Sequence, residues 1–149
     1  MQKTIKSARH TGVVVSDLNR ALDFYGGILG LEVVGRKKEK GPYIDLVVGI
    51  KDVELEWIKM RTQDGYVIEL LNYLSHPDTF SAAEPSKSNR MGCSHVAFTV
   101  NDIDSLYEKL TAEGFACNSS PQVSPDGKVK VMYAHDPDGI ILELVQDIK

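Results

Sequence analysis

The hydrophobic pattern of the chain follows one layout twice. Each copy opens with a short strand-like run of apolar residues, directly after His10 and directly after His95. Apolar positions at helical spacing then follow, at Leu18, Leu22, Tyr25 and Leu29 in the first copy and at Ile103, Leu106, Tyr107 and Leu110 in the second. The residues suited to cap and to end the two helices are Ser16-Asp17 and Gly30, then Asn101-Asp102 and Gly114.

Each predicted helix is followed by sequence rich in strand-forming residues. These segments are residues 43–48, 53–73 and 129–146. We therefore predict an α+β fold of two βαβββ modules, at residues 5–74 and 92–148. Residues 75–91, with two prolines and four serines, read as a linker. At 149 residues, the whole chain is expected to form one domain.

Equivalent polar residues recur at both ends of this repeat. His10 and His95 open the two modules and are 85 positions apart. Glu69 and Glu143 each lie four residues after a glycine, inside apolar strands that read almost identically. Repetition of this kind indicates a duplicated supersecondary unit. The four residues are therefore expected to form two equivalent pairs.

The alternation of side chains along a strand assigns each histidine to one face of its sheet. Gly12 shares the face of His10, and Ala97 shares the face of His95, because residues two apart point the same way. The bulkier residues point to the opposite faces, where they can pack on the helices. The small residues beside each histidine leave room for a cavity.

Glu69 and Glu143 need compensation if they are buried among apolar neighbours, because an unpaired buried carboxylate costs several kcal/mol. One interpretation is a salt bridge to Lys59, Arg61 or Lys130. Another is a divalent cation held by two imidazoles and two carboxylates, which satisfies all four residues at once. The repeat favours the cation and predicts one metal ion bound by His10, Glu69, His95 and Glu143.

Two turns predict which residues lie across from the glutamates. Residues 136–139 and 62–65 suit three-residue hairpins that close with a left-handed glycine. Such turns place Tyr133 opposite Glu143 and Lys59 opposite Glu69, whereas a two- or four-residue loop would turn the partner strands over. The predicted substrate-binding residues on these faces are Tyr133, Val131, Trp57 and Lys59. The remaining histidines, His135 and His76, are expected to be exposed.

Composition excludes several classes of protein. The net charge of −4 gives no general attraction to nucleic acid, so no nucleic-acid partner is expected. No segment approaches the roughly 20 apolar residues of a membrane span. Cys93 and Cys117 have no metal or disulfide spacing and are expected to be reduced thiols of a cytoplasmic protein.

The chain resembles members of the vicinal oxygen chelate superfamily, which includes glyoxalase I, methylmalonyl-CoA epimerase, extradiol dioxygenases, and fosfomycin and bleomycin resistance proteins. The segments that carry the resemblance are 10–18, 24–25 and 29–31, then 95–98 and 102–103, then 136–139 and 142–144. The resemblance implies paired βαβββ modules whose eight strands form a cup around one metal ion.

The order histidine, glutamate, histidine, glutamate resembles the metal ligands of bacterial-type glyoxalase I. It implies nickel, cobalt, zinc, manganese or iron as cofactor, and a lyase or isomerase that moves an α-proton through a metal-bound enolate. Glu143, with Glu69 as the second candidate, would act as the base. The implied substrate is a small carbonyl compound, thioester or hemithioacetal, and a homodimer is expected. Superfamily members build the cup within one chain or across a dimer, and both arrangements stay open.

Other activities stay open. Extradiol dioxygenases resemble His10, His95 and Glu143 as an iron triad, and resistance proteins bind drugs without needing a metal. Methylmalonyl-CoA epimerase resembles the pattern with glutamine in place of Glu69. Against a strict lactoylglutathione lyase, no set of arginines is evident for the carboxylates of glutathione. The basic run at residues 36–40 is either a solvated hairpin or a contact for a CoA or glutathione anion.

Overall fold

The computed structural model of the chain describes residues 4–79 and 86–148. The chain divides into two compact units, Met1–Thr79 and Phe80–Lys149. Each unit contains one mixed sheet of four strands. Residues 80–85 of the predicted linker lie outside the described residues. In the described part of the chain, no helix is both long and apolar enough to cross a membrane.

The first unit follows the predicted βαβββ order with one additional helix. Its strands pair in the order β1-β4-β3-β2, with β1 parallel to β4 and the other pairs antiparallel. A π-helical turn at Asp23–Ile28 continues α1. The elements are β1 (Thr11–Val14), α1 (Leu18–Leu22), β2 (Glu32–Lys40), α2 (Pro42–Val48), β3 (Glu54–Arg61) and β4 (Val67–Tyr73).

The second unit repeats this arrangement without the additional helix. Its strands pair in the order β5-β8-β7-β6, and β5 is parallel to β8. The elements are β5 (Val96–Thr99), α3 (Ile103–Ala112), β6 (Gln122–Val123), β7 (Val129–His135) and β8 (Ile141–Asp147). Both predicted caps are confirmed, because the carboxylates of Asp17 and Asp102 accept hydrogen bonds from backbone N–H groups of the first turn.

One face of each sheet forms the core. In the first unit, Ile68 and Leu70 are fully buried on the face of β4 that packs against α1. In the second, Leu142 and Leu144 occupy the equivalent positions on β8, which contacts α3. Residues of odd number on these strands point to the other face, which is partly open. Glu69 and Glu143 lie on that open face.

The prediction of a strand at residues 43–48 is wrong. These residues form α2, which begins at Pro42 and ends at Gly49. The apolar and aromatic composition favours a strand, but the residues at both ends favour a helix. Proline suits the first turn, and Gly49 caps the helix in the left-handed conformation. Ile44 of α2 packs on Val53 and Leu55, which places the helix on the same face of the sheet as Glu69.

Both hairpins have the predicted register. Gly65 and Gly139 have φ values of +92° and +83°, and each closes a three-residue turn. As a result, Lys59 pairs with Glu69 and Tyr133 pairs with Glu143 across neighbouring strands. The turns therefore determine which side chains stand beside the two glutamates.

Candidate metal and substrate site

The first unit brings His10 and Glu69 into direct contact. His10 directly precedes β1, and its Nε2 lies 3.0 Å from Oε2 of Glu69. Gly12 is the cross-strand partner of Glu69, so the two residues share a face. The Glu69 side chain is only 13% exposed, whereas that of His10 is 33% exposed. The carboxylate therefore lies at the base of the pair, with the imidazole towards solvent.

The second unit contains an equivalent pair. His95 directly precedes β5, and its Nε2 lies 3.1 Å from Oε2 of Glu143. Ala97 is the cross-strand partner of Glu143, in the position that Gly12 holds in the first unit. The repeat in the sequence thus corresponds to a repeated geometry, with the same two atoms at nearly the same separation.

Neither glutamate needs a metal ion to be satisfied, contrary to the expectation from sequence. Each carboxylate already has a histidine nitrogen within hydrogen-bond distance. Among the lysine and arginine partners considered, Arg61 pairs with Glu32, and Lys130 pairs with Asp104. Lys59 alone approaches a site glutamate. Partial exposure of both carboxylates further lowers the cost of leaving them without a cation.

The two pairs nevertheless have the donor chemistry and spacing of metal ligands. Imidazole nitrogen and carboxylate oxygen suit divalent nickel, cobalt, zinc, manganese and iron. Two ligands at right angles, each about 2.1 Å from one ion, are roughly 3.0 Å apart. The separations of 3.0 and 3.1 Å match that value. Within residues 4–79 and 86–148, however, no group of three or more such ligands stands together, so each pair supplies two donors.

Ser94 holds the imidazole of His95 from its other side. The hydroxyl Oγ of Ser94 lies 2.6 Å from Nδ1 of His95. The hydroxyl of Tyr133 lies 3.5 Å from the same nitrogen, and the two rings are 5.2 Å apart. An Nε2 that binds a metal ion carries no proton, and Nδ1 would then donate its proton to Ser94. A partner of this kind is what fixes the tautomer of a metal-binding histidine.

The predicted substrate-binding residues occupy equivalent positions in the two units. Lys59 and Tyr133 are the cross-strand partners of Glu69 and Glu143. Trp57 and Val131 lie two residues earlier on the same strands, and therefore on the same faces. We call each histidine–glutamate pair with its neighbours a half-site. The two half-sites differ most across from the glutamate, where Lys59 carries an ammonium group and Tyr133 a phenol.

Lys59 is held between Glu69 and Trp57. Its Nζ lies 4.0 Å from Oε2 of Glu69 and 4.7 Å from the centroid of the Trp57 ring. The indole N–H of Trp57 donates to Glu39, and Lys37 lies 2.6 Å from that carboxylate. The pKa of Glu39 is lowered, first by the hydrogen bond from Lys37 and more weakly by the charge of Lys59.

The remaining histidines behave differently from each other. His76 is exposed, as predicted. The expectation for His135 is wrong, because this residue is 3% exposed. Its Nε2 lies 2.8 Å from Oδ1 of Asn118, and its Nδ1 lies 3.2 Å from the carbonyl oxygen of Gly139. The segment around Cys117 covers the end of β7 and buries His135, which the local sequence around the turn does not reveal.

The basic run belongs to β2 and is paired with acidic residues. Arg36 pairs with Glu56, which Lys38 also approaches, and Lys37 pairs with Glu39. These cations are therefore partly compensated within the first unit. The cysteines are both free thiols, and burial raises the pKa of Cys117 above its ordinary value.

Sequence reasoning missed the contribution of α2 to the surroundings of Trp57. Trp57 and Tyr73 pack against the cluster that Ile44 forms with β3. Helix α2 therefore supports one end of the open face on which Glu69 and Lys59 lie. The glycine before Pro42 and Gly49 after Val48 were the available signal, because such residues commonly bound a short helix.

Comparison with known proteins identifies the family. The sequence profile of the glyoxalase/bleomycin resistance protein/dioxygenase superfamily matches residues 7–144. This chain belongs to that superfamily. The resemblance inferred from the motifs is thus confirmed.

Relatives and solved structures agree with this assignment. A probable lactoylglutathione lyase of Vibrio cholerae is 28% identical over 140 residues, which cover 93% of this chain and 88% of the relative. A probable lactoylglutathione lyase of Synechocystis is 29% identical, with 92% of each chain covered. The crystal structure of a glyoxalase family protein from Bacillus cereus covers 100% of both chains with a TM-score of 0.86 and 27% identity. The α+β fold of two mixed sheets is therefore the glyoxalase fold.

Proposed function

We propose that this protein is a metal-dependent lyase or isomerase of the glyoxalase type, which moves a proton on the carbon next to a carbonyl group. The recurrence of one histidine–glutamate pair in both units, at 3.0 and 3.1 Å, is the observation that carries the proposal. The two pairs together offer two imidazole nitrogens and two carboxylate oxygens, a donor set that suits a divalent ion. Relatives named as probable lactoylglutathione lyases support the same class of reaction.

In this proposal, His10, Glu69, His95 and Glu143 together hold one divalent ion. Nickel, cobalt, zinc, manganese or iron would fit the mixed nitrogen and oxygen donors. The ion, when bound, polarises a substrate carbonyl and makes the neighbouring C–H group more acidic. Pairs from one chain and pairs from the two chains of a homodimer both give one ion per chain, so this stoichiometry is expected for either arrangement.

Glu143 is the proposed general base. Its side chain is 27% exposed, about twice as much as that of Glu69, so a substrate can reach its oxygen atoms more readily. The carboxylate accepts the α-proton, and the same group returns it to the neighbouring carbon or oxygen. Glu69, at 13% exposure and with Lys59 beside it, is the more firmly held of the two.

The proposed substrate-binding residues flank the pairs. Trp57 and Val131 offer apolar surface, and Tyr133 offers a hydroxyl near His95. The substrates that fit are small carbonyl compounds, thioesters or hemithioacetals. Substrate binding can also be followed by tryptophan fluorescence, because Trp57 is the single tryptophan of the chain.

Metal titration of the purified protein tests the proposal. We expect uptake of one divalent ion per set of four ligands, measured by calorimetry and elemental analysis. His10→Ala and His95→Ala should each weaken binding strongly, whereas His76→Ala should not, because His76 is exposed and bonded to Ser75 outside both pairs. If metal-free protein binds no ion, or if the three variants bind equally well, the proposal is wrong.

A further inference from the structure

The two half-sites differ in charge at one register position. In the first unit, the residue across from the glutamate is Lys59. In the second, it is Tyr133, which carries no positive charge and whose hydroxyl lies 3.5 Å from Nδ1 of His95. The two histidine–glutamate pairs are otherwise equivalent, but only the pair of the first unit has a cation, Lys59, across from its glutamate.

Lys59 is balanced by Glu69 as long as no metal ion is bound. Among the described residues, no carboxylate oxygen lies nearer to Nζ of Lys59 than Oε2 of Glu69, at 4.0 Å. The other cations of this face have partners of their own: Lys37 lies 2.6 Å from Glu39, and Arg61 lies 2.7 Å from Glu32. Lys59 is thus the cation whose balance depends on the metal ligand.

Binding of a divalent ion changes this balance. The two positive charges of the ion are matched by the two carboxylates of Glu69 and Glu143. Lys59 then keeps only its weaker interaction with Glu39, which Lys37 already pairs, so the loaded site carries one net positive charge. Opposite charges attract, and the site is partly shielded from water. A negatively charged ligand beside the ion is therefore favoured over a neutral one.

The position of Lys59 limits where that negative charge can be. Its Nζ lies 4.0 Å from Oε2 of Glu69, on the open face, and 4.7 Å from the centroid of the Trp57 ring. Neighbouring ligand atoms of one ion are about 3 Å apart. An oxygen atom bound beside Glu69 is therefore within reach of the ammonium group with a small change of rotamer.

We infer that Lys59 selects a ligand whose two adjacent oxygen atoms include a carboxylate, as in a 2-oxo or 2-hydroxy carboxylate. One oxygen of such a ligand accepts a hydrogen bond from Lys59, and the net charge of the occupied site becomes zero. The hemithioacetal of a lactoylglutathione lyase has no negative charge at its reacting end before proton transfer, so its binding does not gain this charged hydrogen bond from Lys59. This inference rests on the proposed function, because it requires a metal ion at Glu69.

Lactate and methyl lactate are suitable probes, because both have adjacent oxygens and they differ by one ester methyl group, which removes the charge. We would measure the dissociation constants of both for cobalt-loaded protein, by tryptophan fluorescence of Trp57 and by calorimetry. The ratio of the two constants is compared among wild type, Lys59→Met, Lys59→Arg and Lys128→Met. Lys128 is the matched control, because its Nζ also lies 4.0 Å from a carboxylate, that of Asp126, but on an exposed turn.

We expect Lys59→Met to reduce the preference for lactate by about tenfold, the effect of losing a charged hydrogen bond at a site that is partly open to solvent. Lys59→Arg should keep most of the preference, and Lys128→Met should keep all of it. Metal-free wild type should show no preference, since Glu69 still balances Lys59. Circular dichroism of each variant establishes that the fold is kept.

Three outcomes would contradict the inference, and they differ in what else they affect. An unchanged ratio in metal-loaded Lys59→Met removes the role of Lys59 but leaves the metal site intact. A preference for lactate in metal-free protein shows that the anion site does not depend on the ion. Failure of wild type to bind cobalt removes the proposed function itself, and this inference with it.

Discussion

Ser94 and His95 are neighbours in sequence, and the hydroxyl of the first lies 2.6 Å from Nδ1 of the second. With Nδ1 held by this hydroxyl, the other ring nitrogen, Nε2, faces Oε2 of Glu143 at 3.1 Å. Ser94, the residue before His95, thereby orients its imidazole. An imidazole that is free to rotate would have to be ordered when a metal ion binds.

Replacement of Ser94 by alanine should weaken metal binding without unfolding the protein. Loss of a partner that orients a metal-binding histidine commonly reduces affinity by about 10- to 100-fold. Calorimetric titration with zinc or nickel measures the change. Ser75→Ala is a matched control, because Ser75 Oγ lies 2.8 Å from Nδ1 of His76 in an exposed segment. Equal affinities for the two variants would mean that Ser94 does not orient a ligand.

The turns that determine the register depend on glycine. Gly65 has a φ of +92°, in which a side chain is strained although there is open space around it. We expect Gly65→Ala to lower the free energy of unfolding by about 1–2 kcal/mol. Gly27 also has open space but no left-handed conformation, so Gly27→Ala should be neutral or stabilising. Urea denaturation of both variants tests this. Equal free energies of unfolding for the two variants would mean that a side chain at position 65 is not strained.

The cap of α3 makes stability depend on pH. Backbone and side-chain hydrogen bonds from Ser105 are the main causes that hold the pKa of Asp102 below its ordinary value of 3.8. A carboxyl group with a lowered pKa in the folded state stabilises the fold above its unfolded pKa, and this contribution is lost as the pH falls through its folded pKa.

Asp102→Asn should therefore flatten the acid side of the stability profile. Asparagine can still cap the helix, so the two proteins should have similar melting temperatures near pH 7. Below about pH 4, the wild type should lose more stability than the variant does, because only the wild type takes up a proton at this position. Thermal melts across pH 2–7 measure the difference, and parallel profiles would exclude a contribution from Asp102.

Much of the site was predictable because the hairpin glycines fix the register. Three-residue turns ending at Gly65 and Gly139 place Lys59 and Tyr133 across from the two glutamates, as expected. The repeat itself was equally visible, since equivalent residues recur at equivalent spacing. These features depend on local backbone conformation, which short sequence patterns encode well.

Other features depend on contacts that a local pattern does not encode. His135 is buried by a segment near Asn118, which is distant in sequence. The direct contact of each histidine with its glutamate depends on side-chain rotamers, which strand alternation does not specify. Helix α2 was predicted as a strand because its apolar and aromatic residues favour a strand. Gly41 and Gly49, which bound the helix, were given less weight.

Replacement of Glu143 by glutamine tests the assignment of the base. Glutamine keeps the shape of the side chain and one oxygen that can bind a metal ion, but it cannot accept a proton at catalysis. We expect the fold and some metal binding to remain while turnover falls by a factor on the order of 10² or more. Turnover is followed by wash-in of deuterium from heavy water at the carbon next to the carbonyl, with oxygen uptake measured in parallel.

The equivalent change at Glu69 separates the two carboxylates. Glu69→Gln removes the charge of the less exposed member, so it should weaken metal binding yet retain proton exchange once metal is saturating. A screen of hemithioacetals, acyl-CoA thioesters, 2-oxo acids and catechols supplies the substrate for both variants. Loss of exchange in Glu69→Gln alone would transfer the role of base to Glu69. Oxygen consumption with a catechol would contradict proton transfer as the reaction and favour a dioxygenase, with His10, His95 and Glu143 as its iron ligands.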